Sequence, residues 1–161
     1  MFADECFEGI VAGVPAGLDE SAVDSPVVAT QKNGGDGQFR VLVLEDDELQ
    51  LELLLDHLHS VGLATVGVKT VAEARDQLLN AKFSLAIFDI QLPDGSGLEL
   101  CNSIADDSRF FNMQTIVLSS VNQANMVRQT RAAGASFFIG KPYDPNVLLT
   151  VIERALGTDL Q

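Results

Sequence analysis

Four groups of chemically capable residues punctuate this sequence, each at the end of a short apolar run. Glu45-Asp46-Asp47-Glu48 follows Val41–Leu44, and Asp89 follows Ser84–Phe88. Ser119 and Ser120 close the run that begins at Thr115, and Lys141-Pro142 follows Ser136–Gly140. Gathered in one place they would supply carboxylates, hydroxyls and one ammonium. Two carboxylates ~4 Å apart repel by about 4 kcal/mol at an effective dielectric near 20. Clustering them makes sense where a hard cation binds, and Mg2+ takes one or two carboxylates with waters and phosphate oxygens. Lys141 could then balance a phosphoryl group. The set suits phosphate chemistry and holds no histidine or cysteine nucleophile. Singly, each residue has a plainer use. Asp46 or Asp47 could cap a helix, and Asp89 could serve the turn around Pro93-Asp94-Gly95. The two serines could be caps, Lys141 a solvated charge, and Pro142 a strand terminator. Their common placement at carboxyl ends of runs, never at amino ends, is what favours chemistry.

The elements that must position these groups are legible from periodicity. Val41–Leu44, Ala64–Val68, Ser84–Phe88, Thr115–Ser119 and Ser136–Gly140 are apolar without polar alternation, as in parallel strands covered on both faces. Between them Leu51, Leu54, Leu55 and Leu58 recur at helical spacing, as do Val71, Ala74 and Leu78. Leu98, Cys101, Ile104 and Ala105 mark a third helix, and Val147, Leu148, Val151, Ile152 and Ala155 the last. Gln123–Ala133 is the weakest stripe, with Ala124 and Val127 and little else apolar. His57 and His59 share no ligand spacing and are expected to be exposed. Five strands alternating with five helices predict a doubly wound α/β sheet with right-handed crossovers. Ligands of such sheets bind beyond the carboxyl ends of the strands.

Length and composition agree. The 161 residues make about one domain, with 47% hydrophobic and 20% charged residues. Twenty-three acids against 10 bases give a net charge of −13, which repels phosphate backbones and anionic lipid. Direct nucleic-acid or membrane binding is therefore not expected. Cys6 and Cys101 are far apart and form no ligand pair, so free thiols and a reducing, cytoplasmic setting are expected. The acidic opening MFADECFE is no secretory signal. Residues 1–38, rich in glycine and acids with the linker-like stretch QKNGGDGQ, are expected to be an irregular leader or linker. Residues 39–157 then form the domain and 158–161 a tail. No internal repeat is present.

With Glu45-Asp46, Asp89 and its Leu92-Pro93…Gly97 sequel, Ser119-Ser120 and Lys141-Pro142 in this order, the chain resembles the receiver domain of two-component response regulators. The likeness runs from Arg40 to about Leu156. It implies a flavodoxin-like, five-stranded (βα)5 fold with strand order 2-1-3-4-5. It implies that Asp89 accepts a phosphoryl group from a phosphohistidine of a sensor histidine kinase or histidine phosphotransfer protein. Asp46 would bind Mg2+ directly and Glu45 through water, with Asp89 and the backbone carbonyl of Gln91 as further ligands. The Ser119 hydroxyl and the Lys141 ammonium would each meet a phosphoryl oxygen, and the Lys141–Pro142 bond would be cis. Ser119 and Phe138 fall at the family's switch positions. The surface of the fourth helix, fifth strand and fifth helix would carry the read-out, including a homodimer. Phe138 lacks the hydroxyl of the commoner Tyr. Gln91 and Val121 would flank the path of the hydrolytic water.

Such a domain phosphorylates and dephosphorylates itself and signals, rather than turning over substrate as an enzyme. The alternative is a phosphorylation-independent pseudo-receiver acting as an interaction module. A haloacid-dehalogenase-like phosphatase would need a second Asp where Gln91 stands. An FMN binder would need a Ser/Thr/Gly-rich phosphate loop where four acids follow the first strand.

Overall fold

Successive residues of the first parallel strand enter opposite cores, which is why VLVL shows no polar alternation. Val41 and Val43 join one apolar cluster, and Leu42 and Leu44 join the other. The computed structural model describes residues 28–30, 39–120 and 124–160. Its strands are β1 (Val28–Thr30), β2 (Arg40–Leu44), β3 (Ala64–Val68), β4 (Leu85–Asp89), β5 (Gln91–Leu92), β6 (Gly95–Ser96), β7 (Gln114–Ser119) and β8 (Phe137–Gly140). The helices are α1 (Glu48–Ser60), α2 (Val71–Asn80), α3 (Gly97–Ala105), α4 (Ala124–Ala132) and α5 (Pro145–Leu156).

Strands β3, β2, β4, β7 and β8 lie parallel in that order, the predicted 2-1-3-4-5 arrangement of a doubly wound flavodoxin-like sheet. Leu51, Leu54, Leu55 and Leu58 of α1 and Leu148, Leu149 and Ile152 of α5 pack on one face. Val71, Ala74 and Leu78 of α2 and Leu100, Cys101 and Ile104 of α3 pack on the other. Side-chain oxygens of Asp47, Thr70, Ser96 and Asp144 cap α1, α2, α3 and α5. Among the described residues no helix is long and apolar enough to cross a membrane.

Three expectations need correction. Residues 28–30, placed in an irregular leader, form β1, which pairs antiparallel with β3 from Val28↔Gly67 to Thr30↔Thr65. An edge strand presents unpaired backbone groups that attract an extended partner, and three residues of any permissive sequence can satisfy them. Val147 is 51% exposed instead of buried, and Leu149 takes its place. The buried face of α5 centres on Leu148 and Ile152, and Val147 in the first turn lies at its margin. His57 and His59 are half-buried and partnered rather than exposed. The His59 Nε2 meets the Thr65 hydroxyl at 2.5 Å, and the His57 Nε2 lies 3.4 Å from the Pro145 carbonyl oxygen. Cys6 and the remainder of the leader lie outside the described residues.

Helix α4 has the thinnest attachment, as its sequence predicted. Thr130 is its buried residue, and Val127 is 41% exposed. Moreover, the Thr130 hydroxyl is buried without a hydrogen-bond partner. Leaving such a group unpaired costs about 1–3 kcal/mol. Thr130→Val keeps the shape and removes the hydroxyl, so it should raise stability by about 1 kcal/mol in urea unfolding. A loss of stability would show that the hydroxyl has a partner.

Candidate functional site

The register of the sheet sets the carboxyl ends of four strands nearly level. Leu44 pairs opposite Phe88, Asp89 opposite Leu118, and Ser119 opposite Gly140. Glu45, Asp89, Ser119 and Lys141 therefore emerge at one edge. Backbone bonds extend this order past the strands: Glu45 N–H to Val68 O (3.0 Å), Ile90 N–H to Leu118 O (3.2 Å) and Lys141 N–H to Ser119 O (2.7 Å). A cleft of about 660 Å3 opens here, bordered by Asp46, Gln50, Gln91 and Tyr143 among others.

Lys141 stands at its centre. Its Nζ donates to Glu45 Oε2 at 2.6 Å and to Gln50 Oε1 at 3.1 Å, and lies 3.3 Å from Asp89 Oδ2. The ammonium's three protons thus face three acceptors. Burial alone would pull its pKa down, but the Glu45 and Asp89 carboxylates outweigh that and hold it above the ordinary lysine value. Glu45 is held above the ordinary carboxylate range. Burial is the main cause, and the Asp89 charge adds to it, against the opposing Lys141 bond and the Asp47 N–H. Burial likewise raises the Tyr143 phenol.

Each of Glu45, Asp46 and Asp89 offers an oxygen within 4.8 Å of the others. Glu45 and Asp89 are buried and Asp46 is exposed. An all-oxygen donor set on the wall of an open cleft fits a hard divalent cation that keeps several waters. The helix-capping residue is Asp47, whose Oδ1 accepts the Gln50 N–H at 3.0 Å; Asp46 is not used in that way.

Beyond Asp89 the chain doubles back through the antiparallel β5–β6 hairpin. Gly97 closes it, donating its N–H to Ile90 O at 3.0 Å. A Cβ at Gly97 would collide with the Asp89 carbonyl oxygen, so glycine is required for this close approach. Ser119 is buried, Ser120 is exposed in the cleft lining, and Phe138 is half-buried on β8. The Lys141–Pro142 bond is cis. Cys101 lies in the core, where burial pushes its thiol up to about 11. Val121 lies outside the described residues.

Gln50 and Tyr143 were missed from sequence. The available signal was position: Gln50 is in the first turn of a helix that starts just past the acids following β2, and Tyr143 is two residues past Lys141.

Lys141 is the cation that offsets the two buried acids, so Lys141→Met should destabilise the metal-free protein. The cost should be on the order of 2 kcal/mol at pH 7, below the 3–5 typical of a fully buried pair because the cleft is open. Glu45, with its pKa already raised, is easier to protonate in the fold than in the unfolded chain. Lowering the pH through its folded range removes one of the uncompensated charges. The gap between variant and parent should therefore narrow as pH falls, as read by urea unfolding in chelator. A gap constant with pH would remove charge compensation as its cause.

Comparison with known proteins brings the same region forward. Residues 41–153 match the response regulator receiver domain family. Transcriptional regulatory protein GltR of Pseudomonas aeruginosa is 35% identical over 117 residues, covering 72% of this chain and 48% of GltR. The chain thus spans about half the length of that relative. The polar-differentiation response regulator DivK of Brucella anthropi is 28% identical over 117 residues, covering 73% of this chain and 95% of DivK. A CheY-like response regulator receiver domain protein from Methanospirillum hungatei superimposes with a TM-score of 0.70 at 29% identity, over 75% of this chain and 95% of that one.

Proposed function

Because the chain belongs to the response regulator receiver domain family, we propose that Asp89 is its phosphoacceptor. The observation that carries this is the Lys141 ammonium, 2.6 Å from Glu45 and 3.3 Å from Asp89, in a cleft open to solvent. Phosphoryl transfer depends mostly on positioning and charge neutralisation, and this arrangement provides for both. An Asp89 carboxylate oxygen attacks the phosphorus of a phosphohistidine. The O–P bond forms as the N–P bond breaks, and the imidazole nitrogen keeps the electron pair. Lys141 turns one donor from its present acceptors to a phosphoryl oxygen. The neutral Gln50 amide is the least costly of these acceptors to give up. Ser119 donates its hydroxyl to another oxygen.

Asp46, Asp89 and the backbone carbonyl of Gln91 would hold Mg2+, with Glu45 acting through water. Bound there, the ion supplies positive charge against the three phosphoryl oxygens. The partner is a sensor histidine kinase or a histidine phosphotransfer protein, and the chain acts in the cytoplasm as a signal carrier rather than a turnover enzyme. Ser119 and Phe138 couple the modified state to the α4–β8–α5 face, where output or homodimerisation occurs. The sparse burial of α4 supports that assignment, since an element with few buried contacts is cheap to move.

A small phosphodonor with Mg2+ should add one phosphoryl group by intact mass, and none to Asp89→Asn. Equal labelling of that variant would remove Asp89 from the role. No labelling of the parent chain would favour an interaction module that works unphosphorylated.

Gln91 and Val121 would flank the attacking water. Gln91 offers it a hydrogen bond and Val121 offers none. Positioning of that water is a transition-state effect, and one hydrogen-bonding partner is worth about 1–3 kcal/mol. Val121→Asn should therefore shorten the phospho-Asp89 lifetime roughly tenfold, since ~1.4 kcal/mol is a factor of ten in rate. Phosphate release from labelled protein measures this, and an unchanged lifetime would show that Val121 does not govern the water.

A further inference from the structure

Asp94 sits between β5 and β6, yet its carboxylate is bonded to a different element. Oδ1 accepts the Val71 N–H at 2.8 Å and Oδ2 the Ala72 N–H at 3.1 Å, both in the opening turn of α2. Such N–H groups have no partner within their own helix, and the positive end of the helix favours a carboxylate. The two backbone bonds hold the Asp94 carboxyl below the ordinary carboxylate range. Helix α2 already carries its own cap. Thr70 Oγ1 takes the Glu73 N–H at 3.1 Å, and the Glu73 carboxylate reaches back to the Lys69 N–H at 2.9 Å. The Asp94 bonds therefore add a tie between two elements rather than supply a missing cap.

That tie matters because of what the hairpin carries. With two residues per strand, β5 and β6 cannot hold a conformation unaided. The base of the hairpin is fixed by Ile90 N–H to Leu118 O and Gly97 N–H to Ile90 O. Its tip is fixed through Asp94 to α2. Gln91, which borders the cleft, lies between these two anchor points.

We propose that Asp94 is a positioning residue for the Asp89 cleft: by tying the hairpin tip to α2 it fixes the main chain at Gln91, and so the placement of the Gln91 carbonyl toward a divalent cation. This rests on the cation-binding reading of the cleft given above. Asp94 does not touch the cation; it acts through the backbone, as outer partners do when they orient a ligand.

The test compares Mg2+ affinity, by NMR titration of the metal alone, in the parent chain, Asp94→Ala, Asp94→Asn and Thr70→Ala, each where it is fully folded. Asp94→Ala should bind about tenfold more weakly, the lower end of what losing the support of a ligand costs. Asp94→Asn, which keeps one acceptor oxygen, should fall between. Thr70→Ala weakens the cap of the same helix without touching the hairpin, and should bind like the parent. Amide exchange at Leu92 and Gly95 should speed up in Asp94→Ala and not in Thr70→Ala. Parental affinity in Asp94→Ala, or an equal loss in Thr70→Ala, would overturn the inference while leaving the cleft a metal site. A parent chain that binds no Mg2+ would instead overturn the reading of the cleft, and the inference with it.

Discussion

One ammonium between two buried carboxylates is the constraint around which the rest of this structure is arranged. Glu45 and Asp89 are taken out of water at the end of a sheet, and burial raises Glu45 despite the cation beside it. Removing either partner from such a group leaves a charge with poor compensation, which is far more costly than never having built the group. Lys141 can reach both acids because β2, β4 and β8 end at nearly the same level. That level depends on the register, and the register depends on which side chains enter which core. A slip of one residue in any of these strands would exchange its two apolar faces and move its polar terminus to the wrong side. The packing that stabilises the domain and the geometry of its charged cleft are thus one requirement.

Most of the fold was legible because parallel strands buried on both faces have a plain signature, an apolar run with a polar group at its carboxyl end. The cleft followed from the same signature, since Glu45, Asp89, Ser119 and Lys141 each stand at such an end. What escaped has physical reasons. Val28–Thr30 carry no periodicity to set them apart from the glycine-rich surroundings, because an edge strand is recruited by its neighbour's open backbone. Val147 and Leu149 flank Leu148 on opposite sides of α5, both apolar, and residue type alone does not decide which of those sides is covered. Gln50 is a neutral amide in a helix turn, and nothing in its type marks it as a partner for an ammonium. The double bond from Asp94 to α2 joins residues more than twenty apart, beyond any local pattern.

The helices around the sheet are held unequally. Four leucines of α1 are buried, whereas α4 contributes one buried residue, and that one carries an unpaired hydroxyl. The molecule therefore has a firmly packed helix in α1 and a loosely attached one, α4, next to β8. In a family whose members pass on a signal, such inequality gives a motion somewhere to go at low cost in stability.

The short strand β1 also bears on how the molecule behaves at high concentration. By occupying the outer side of β3 it leaves an edge only three residues long, which offers a neighbouring molecule little backbone to pair with. At the other end β8 is four residues long, and Pro142, two residues beyond it, has no N–H to extend a ladder. Both ends of the described sheet are thus poor templates for edge-to-edge polymerisation. Together with the strongly negative charge, this favours a chain that stays dispersed when crowded.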